Sequence, residues 1–199
     1  MAFDLKHEIS RKLIHLSSFW IVALIWIISR GWAIVLLSLV AAFVLVSEYL
    51  VYKKSDSIFT RIYQKLFGYF LRDKEKGKGF HYSGAPYVLV AALILVILFP
   101  KIVAMFGMSV LLICDTVAAI VGRSVGRHPL VGHKTWEGTF AFIMGGIVVV
   151  SVFFLFTSLP FSTMFIGVLL GTLGDLFNEK LHVDDNLSIP LLTVLPFLF

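Results

Sequence analysis

Apolar residues along this chain gather into long, nearly unbroken runs, and polar residues are confined to the intervals between them. A helix needs about 20 mostly apolar residues to cross the hydrocarbon of a bilayer. Windows near 13–29, 31–50, 84–99, 101–122, 136–156 and 159–177 approach or reach that length, and an apolar tail at 187–199 is a shorter seventh. None of these runs alternates apolar with polar residues as a lumen-facing barrel strand does, so the spans are helices. The pattern predicts an all-α fold, a polytopic transmembrane helical bundle of six or seven spans, with residues 1–199 forming a single integral membrane domain. The first span follows a basic stretch, as in a signal peptide. Ser29, Arg30, Gly31 and Trp32 after it offer no small-residue cleavage site, so the span is retained.

Composition supports this picture. Of the 199 residues 59% are hydrophobic and 15% charged, with a mean hydropathy of +0.94. Soluble domains average roughly 45–50% apolar and 25% charged, so a soluble fold and a disordered chain are both excluded. The single cysteine, Cys114, excludes a disulfide scaffold and reads as a small core hydrophobe. Counted loop by loop, fifteen Lys and Arg fall on one side of the predicted spans, and only Arg30 and Lys101 on the other. The positive-inside rule therefore puts the N-terminus and the basic loops in the cytoplasm. That bias, with attraction to anionic membrane lipids, accounts for the net charge of +5 without a nucleic-acid partner.

Three cytoplasmic segments interrupt the spans. In 51–83, Ile58, Ile62, Lys65 and Tyr69 stand among Phe59, Phe67 and Phe70, the pattern of a helix lying at the membrane surface. Lys74 to Gly79 then reads as a solvated connector. Residues 123–135 and 178–186 form the second and third segments, the expected active-site loops. No internal repeat suggests the inverted halves of a transporter. No targeting extension precedes the first span, which suits a prokaryotic inner membrane.

Carboxylates inside apolar spans are costly and mark functional sites. Asp115 lies late in the fourth span, on a face of small residues. Asp175 closes a stripe begun by Gly167 and Gly171, a spacing that serves helix packing and permits a homodimer. Glu137, Glu179, Asp184 and Asp185 fall at the same cytoplasmic end. The loop between the fourth and fifth spans supplies Arg123, Arg127, His128, His133 and Lys134. Acids beside Arg and Lys suit a magnesium–polyphosphate site, because Mg²⁺ takes a few carboxylate oxygens plus phosphate and water. Gly122, Gly126 and Gly132 let backbone amides approach a phosphate. No Walker, dinucleotide, G-x-S-x-G or H-E-x-x-H motif occurs, and two histidines without further ligands at metal spacing do not suggest zinc. At the N-terminus Glu8, Arg11, Lys12 and His15 share one helix side at the membrane entrance, placed either for snorkelling or for the site.

Four ordered blocks spread over almost the whole chain carry a resemblance. They are Arg11-Lys12-x-x-His15; Cys114-Asp115-Thr116-x-Ala118-x-x-x-Gly122-Arg123-x-x-Gly126; Lys134-Thr135-x-Glu137-Gly138; and Asp184-Asp185-Asn186-Leu187-x-Ile189-Pro190. Together they resemble the polyprenol kinase family, which includes dolichol kinase, phytol kinase and CTP-dependent diacylglycerol kinase and is related to phosphatidate cytidylyltransferases. The resemblance implies a membrane kinase that transfers phosphate from CTP to a lipid alcohol with a divalent cation. Carried over onto matching positions, Asp115, Lys134, Glu137 and Asp185 are the candidate catalytic residues. Arg123, Arg127, His133, Lys134, Thr135 and Asn186 are candidates for the nucleotide, and Asp115, Glu137, Asp175 and Asp184 for Mg²⁺. Arg11, Lys12, His15 and Glu179 are further candidates, and which acid is ligand and which is base stays open. Two positions depart from the pattern: Cys114 stands where glycine is usual, and Asp184 follows Glu179 closely. A cytidylyltransferase would share Gly174-Asp175-Leu176 and the use of CTP, but its longer signature after that point is missing. An ion transporter is the remaining alternative, and the clustering of the acids at one face argues against it.

Overall fold

The computed structural model describes residues 11–53, 57–67 and 82–199. Helical residues 11–17 lead through a turn at Ser18 into α1 (Phe19–Ile27). Then come α2 (Arg30–Tyr52), α3 (Ile58–Phe67) and α4 (Gly84–Leu98). The fifth helix, α5 (Lys101–Val110), runs through one wide π turn (Leu111–Asp115) into α6 (Thr116–Ser124). After a loop follow α7 (Trp136–Phe156), α8 (Phe161–Leu181) and α9 (Asp185–Val194), the last ending in a 3₁₀ turn (Leu195–Leu198). Among the described residues there is no strand, only an isolated bridge between Pro129 and Thr135. The fold is an all-α membrane bundle. Glu8, Tyr69, Phe70 and Lys74 to Gly79 lie outside the described residues.

Four helices are long and apolar enough to cross a membrane: Arg30–Tyr52, Lys101–Ser124, Trp136–Phe156 and Phe161–Lys180. The Lys101–Ser124 span is the central post, with 72% of its apolar window buried against 28% for α2. Phe106, Leu111 and Leu112 on it and Phe142, Met164 and Ile189 around it are fully enclosed. The apolar tail is not a full span. With its 3₁₀ turn it covers 14 residues, about 21 Å of helix against a hydrocarbon thickness of about 30 Å. It is wedged into the bundle, with Ile189, Thr193 and Val194 buried.

Glycines let that wedge approach. A Cβ on Gly167 would sit 2.2 Å from the Thr193 carbonyl oxygen, and one on Gly171 2.4 Å from the Thr193 hydroxyl. The stripe expected to permit a homodimer is thus covered by the chain's own α9. At the end of the bundle away from the acids, the two lone basic residues close helix ends. Arg30 donates to the carbonyls of Val96 (2.8 Å) and Ile97, and Lys101 to those of Trp26 (3.1 Å) and Ile28 (2.5 Å). Carbonyls in a helix's last turn have no partner within the helix, and cations there answer both the hydrogen bond and the dipole.

Candidate active site

The site lies at the other end, where the first helical segment, the π turn, the C-terminal part of α8 and the N-termini of α4, α7 and α9 meet. The wide turn over Leu111–Asp115 delivers Asp115, and Thr116 directly after it returns its hydroxyl to the Leu112 carbonyl at 2.6 Å. Such turns inside α-helices recur at functional sites, since the extra residue re-aims the side chains that follow. Asp175 projects from α8 six residues before the helix closes. That closure is a Schellman pair around left-handed His182 (φ 54°): His182 N–H to the Glu179 carbonyl and Val183 N–H to that of Asn178. Asp185 follows immediately, as the first residue of α9. One oxygen from each of Asp115, Asp175 and Asp185 lies within 4.8 Å of the others.

Two lysines face this triad. Lys12, 2% exposed, donates to Asp115 Oδ2, itself 3% exposed. Lys134 donates to Asp175 Oδ1 at 2.5 Å. Burial works against the Lys134 ammonium, but Asp175, Asp185 and Asp115 outweigh it and lift its pKa above the ordinary lysine value. Three carboxylates against two ammonium groups leave one negative charge. His15, one turn after Lys12, brings Nε2 to 3.4 Å from the same Asp115 oxygen without forming a hydrogen bond.

A tight loop presents Lys134. Leu130 N–H bonds the Lys134 carbonyl, Lys134 N–H that of Val131, and Trp136 N–H that of His128. Gly132 takes φ +56°, and a Cβ there would meet Glu179 Oε2 at 2.6 Å, so only glycine fits under that carboxylate. Thr135 caps α7 by accepting from Gly138 N–H at 3.2 Å.

The other expected residues take different posts. Glu137, 26% exposed, bonds His128 Nδ1 at 2.6 Å and so ties the loop to α7 rather than joining the triad. Asp184 is the N-cap of α9, accepting from Asn186 N–H (3.0 Å) and Nδ2 (2.7 Å), which leaves Asn186 buried beside Asp185. Arg123, Arg127 and His133 are exposed on the loop side, Glu179 lies over Gly132, and Arg11 is half-buried on the first helical segment.

One residue was not anticipated. Glu48, buried in α2, accepts from Ser83 N–H at 2.8 Å and from the Ser83 hydroxyl at 2.5 Å. Ser83 caps α4, and a Cβ on Gly84 would lie 3.0 Å from Asn186 Nδ2. Glu48 therefore ties the start of α4 to α2, and that same start lies against Asn186 at the start of α9. It could have been found by the reasoning that found Asp115, because it too is an acid within an apolar run.

Known proteins match the chain over most of its length. A CTP-dependent diacylglycerol kinase of Schizosaccharomyces pombe is 26% identical over 202 residues, covering 94% of this chain and 91% of the yeast protein. A phytol kinase of Synechocystis is 29% identical over 194 residues, covering 92% of this chain and 76% of that one. An uncharacterized protein of Rickettsia prowazekii is 25% identical over 192 residues, covering 94% and 92%. No family profile and no solved structure matches. Over more than nine-tenths of its length the chain is similar to lipid kinases of the polyprenol kinase type.

Proposed function

We propose that this protein is a CTP-dependent lipid-alcohol kinase of a prokaryotic inner membrane, with its site at the cytoplasmic face. The observation that carries the reading is the convergence of Asp115, Asp175 and Asp185 with Lys12 and Lys134 at one end of an apolar bundle. The names of the relatives support a lipid acceptor and CTP as donor. The fifteen-to-two division of Lys and Arg supports the cytoplasmic side.

An all-carboxylate donor set suits Mg²⁺, and the uncompensated negative charge of the cluster suits a divalent cation. Asp115, Asp175 and Asp185 would hold it. Bound there it would supply charge neutralisation for the β- and γ-phosphates, the main electrostatic requirement of phosphoryl transfer. Lys134, kept protonated by its acidic neighbours, binds the phosphates from the loop side, and Arg123 and Arg127 extend that positive surface toward the nucleotide.

The acceptor's alkyl chain stays in the bilayer while its hydroxyl reaches the carboxylates. Lys12 engages Asp115 and Lys134 engages Asp175, which leaves the second oxygen of Asp185, whose first would hold the cation, to take the hydroxyl proton. The hydroxyl oxygen forms a bond to the γ-phosphorus. The bond from that phosphorus to the bridging oxygen breaks, and CDP leaves with the electron pair. Glu137 serves the reaction through loop geometry, not as a ligand.

The test is transfer from γ-labelled CTP or ATP, with Mg²⁺, to dioctanoylglycerol, phytol or a polyprenol by the detergent-purified protein, with products identified by mass. A phosphorylated lipid formed from CTP is expected, and Asp115→Asn and Lys134→Ala each abolish it while the protein stays folded. A CDP-lipid formed from phosphatidate, with no phosphorylated alcohol, would refute the kinase reading.

A further inference from the structure

We infer that His15 holds the acceptor's hydroxyl group, its Nε2–H donating to the oxygen that will be phosphorylated. The inference rests on the lipid-kinase reading and goes beyond it by naming the position of the second substrate. The His15 side chain is only 10% exposed, and its Nε2 is a buried polar atom with no hydrogen-bond partner in the protein. Leaving such a group unsatisfied is costly, so a buried nitrogen aimed into a polar cluster calls for an atom from elsewhere. Asp115 Oδ2, 3.4 Å away, forms no hydrogen bond with it, and Lys12 already donates to that oxygen.

The missing partner is an oxygen of the lipid rather than of the nucleotide because of what His15 stands on. Lys134 reaches the triad from the glycine-rich loop, whereas Lys12 and His15 reach it from the first helical segment. That segment leads into the apolar bundle: Leu13 on it and Trp20 at the start of α1 are exposed apolar residues, which suits contact with lipid. An alcohol entering sideways along this helix brings its hydroxyl to Nε2. One Asp115 oxygen lies there, and a carboxylate oxygen of Asp185 lies within 4.8 Å of an Asp115 oxygen. The hydroxyl then accepts from His15, donates its proton toward Asp185, and keeps a lone pair for the phosphorus.

The experiment uses the full chain in detergent with CTP, Mg²⁺ and either dioctanoylglycerol or phytol, and it determines kcat and KM for each substrate in His15→Ala and His15→Gln. Loss of one buried hydrogen bond to substrate lowers kcat/KM for both alcohols about 10- to 100-fold in His15→Ala, with KM for CTP within about twofold of wild type. His15→Gln, whose side-chain amide places an N–H near the position of Nε2, recovers part of the loss. A merely structural histidine would not divide the two substrates in this way.

The inference is overturned by a fall expressed through KM for CTP, by a shift in the Mg²⁺ concentration giving half-maximal rate, or by unchanged alcohol kinetics. Should the alanine variant not fold, the comparison is made between His15→Gln and His15→Asn, whose shorter amide falls short of the position; equal alcohol kinetics in the two would overturn it. Wild-type protein that phosphorylates neither alcohol overturns the inference together with the kinase reading. An active wild type with an unaffected His15→Ala overturns the inference alone.

Discussion

Lys12 and Asp115 form an ion pair almost closed to solvent, at 2% and 3% exposure, and cutting it from either side has a cost that can be worked out. Replacing Lys12 by Met leaves a buried carboxylate without its partner, and replacing Asp115 by Asn leaves a buried ammonium without its own. Breaking a buried pair from one side costs about 3–5 kcal/mol, whereas replacing both charges with neutral groups of similar size is often close to neutral. His15 and Lys134 neighbour a stranded Asp115 and the Asp185 carboxylate lies near a stranded Lys12, so each single variant belongs at the lower end, about 3 kcal/mol. The double variant is expected within about 2 kcal/mol of wild type, which gives a coupling of about 4 kcal/mol. Unfolding by SDS titration in mixed micelles, with a chelator present and the four tryptophans as reporter, measures all four proteins. With Mg²⁺ in place of the chelator, the loss in Lys12→Met shrinks, because a divalent cation answers the stranded carboxylate. A double variant as unstable as the two singles added together would refute the reasoning.

Gly167→Ala would drive a Cβ to 2.2 Å from the Thr193 backbone and displace α9. A lowered melting temperature and lost activity are expected, while Gly31→Ala, with nothing within 4 Å, leaves both unchanged or slightly raises stability. Lys101→Met removes the donor to two helix-end carbonyls and costs about 1–2 kcal/mol in SDS unfolding with kcat unaltered, since it stands at the far end from the acids. Asp185→Asn abolishes both turnover and the stabilisation by Mg²⁺ seen in a thermal melt, whereas Glu137→Gln keeps that stabilisation. For Lys134 the pKa is raised on folding, so its contribution is complete below the ordinary lysine value of 10.5 and disappears as pH rises through the higher folded value. The stability difference between wild type and Lys134→Met is therefore flat up to about pH 10 and shrinks above it.

The membrane class, four of the spans and the two intramembrane aspartates were legible in the sequence, because bilayer length and the cost of a buried charge act on local runs of residues. Lys12 was only half legible: a basic residue at a helix entrance reads equally as a lipid anchor, and its pairing with Asp115 spans 103 positions. Asp184 and Asp185 are neighbours of the same type, and nothing in their spacing says that one caps α9 while the other joins the triad. Glu137 lies near the other acids in sequence, and no spacing shows that the loop folds back to bring His128 against its carboxylate. The π turn before Asp115 left no mark in a plain apolar run. Glu48 was visible and passed over.

The wedge-like α9 has a consequence for how the protein is made. It is about 21 Å long with its 3₁₀ turn, too short to enter a bilayer as an independent span. It also follows every other site-bearing helix in the chain. In order of synthesis Asp115 and Asp175, and the Lys12 and Lys134 that pair with them, therefore all precede Asp185. The last helix must then slide into a slot kept open by Gly107, Gly167, Gly171 and Gly174, where added side chains would meet Pro190, Thr193 and Ser188. Docking of α9 is thus the step that completes the acidic cluster. A bundle assembled without α9 would bring Asp115, Asp175 and the two lysines together but would lack the third carboxylate of the cluster.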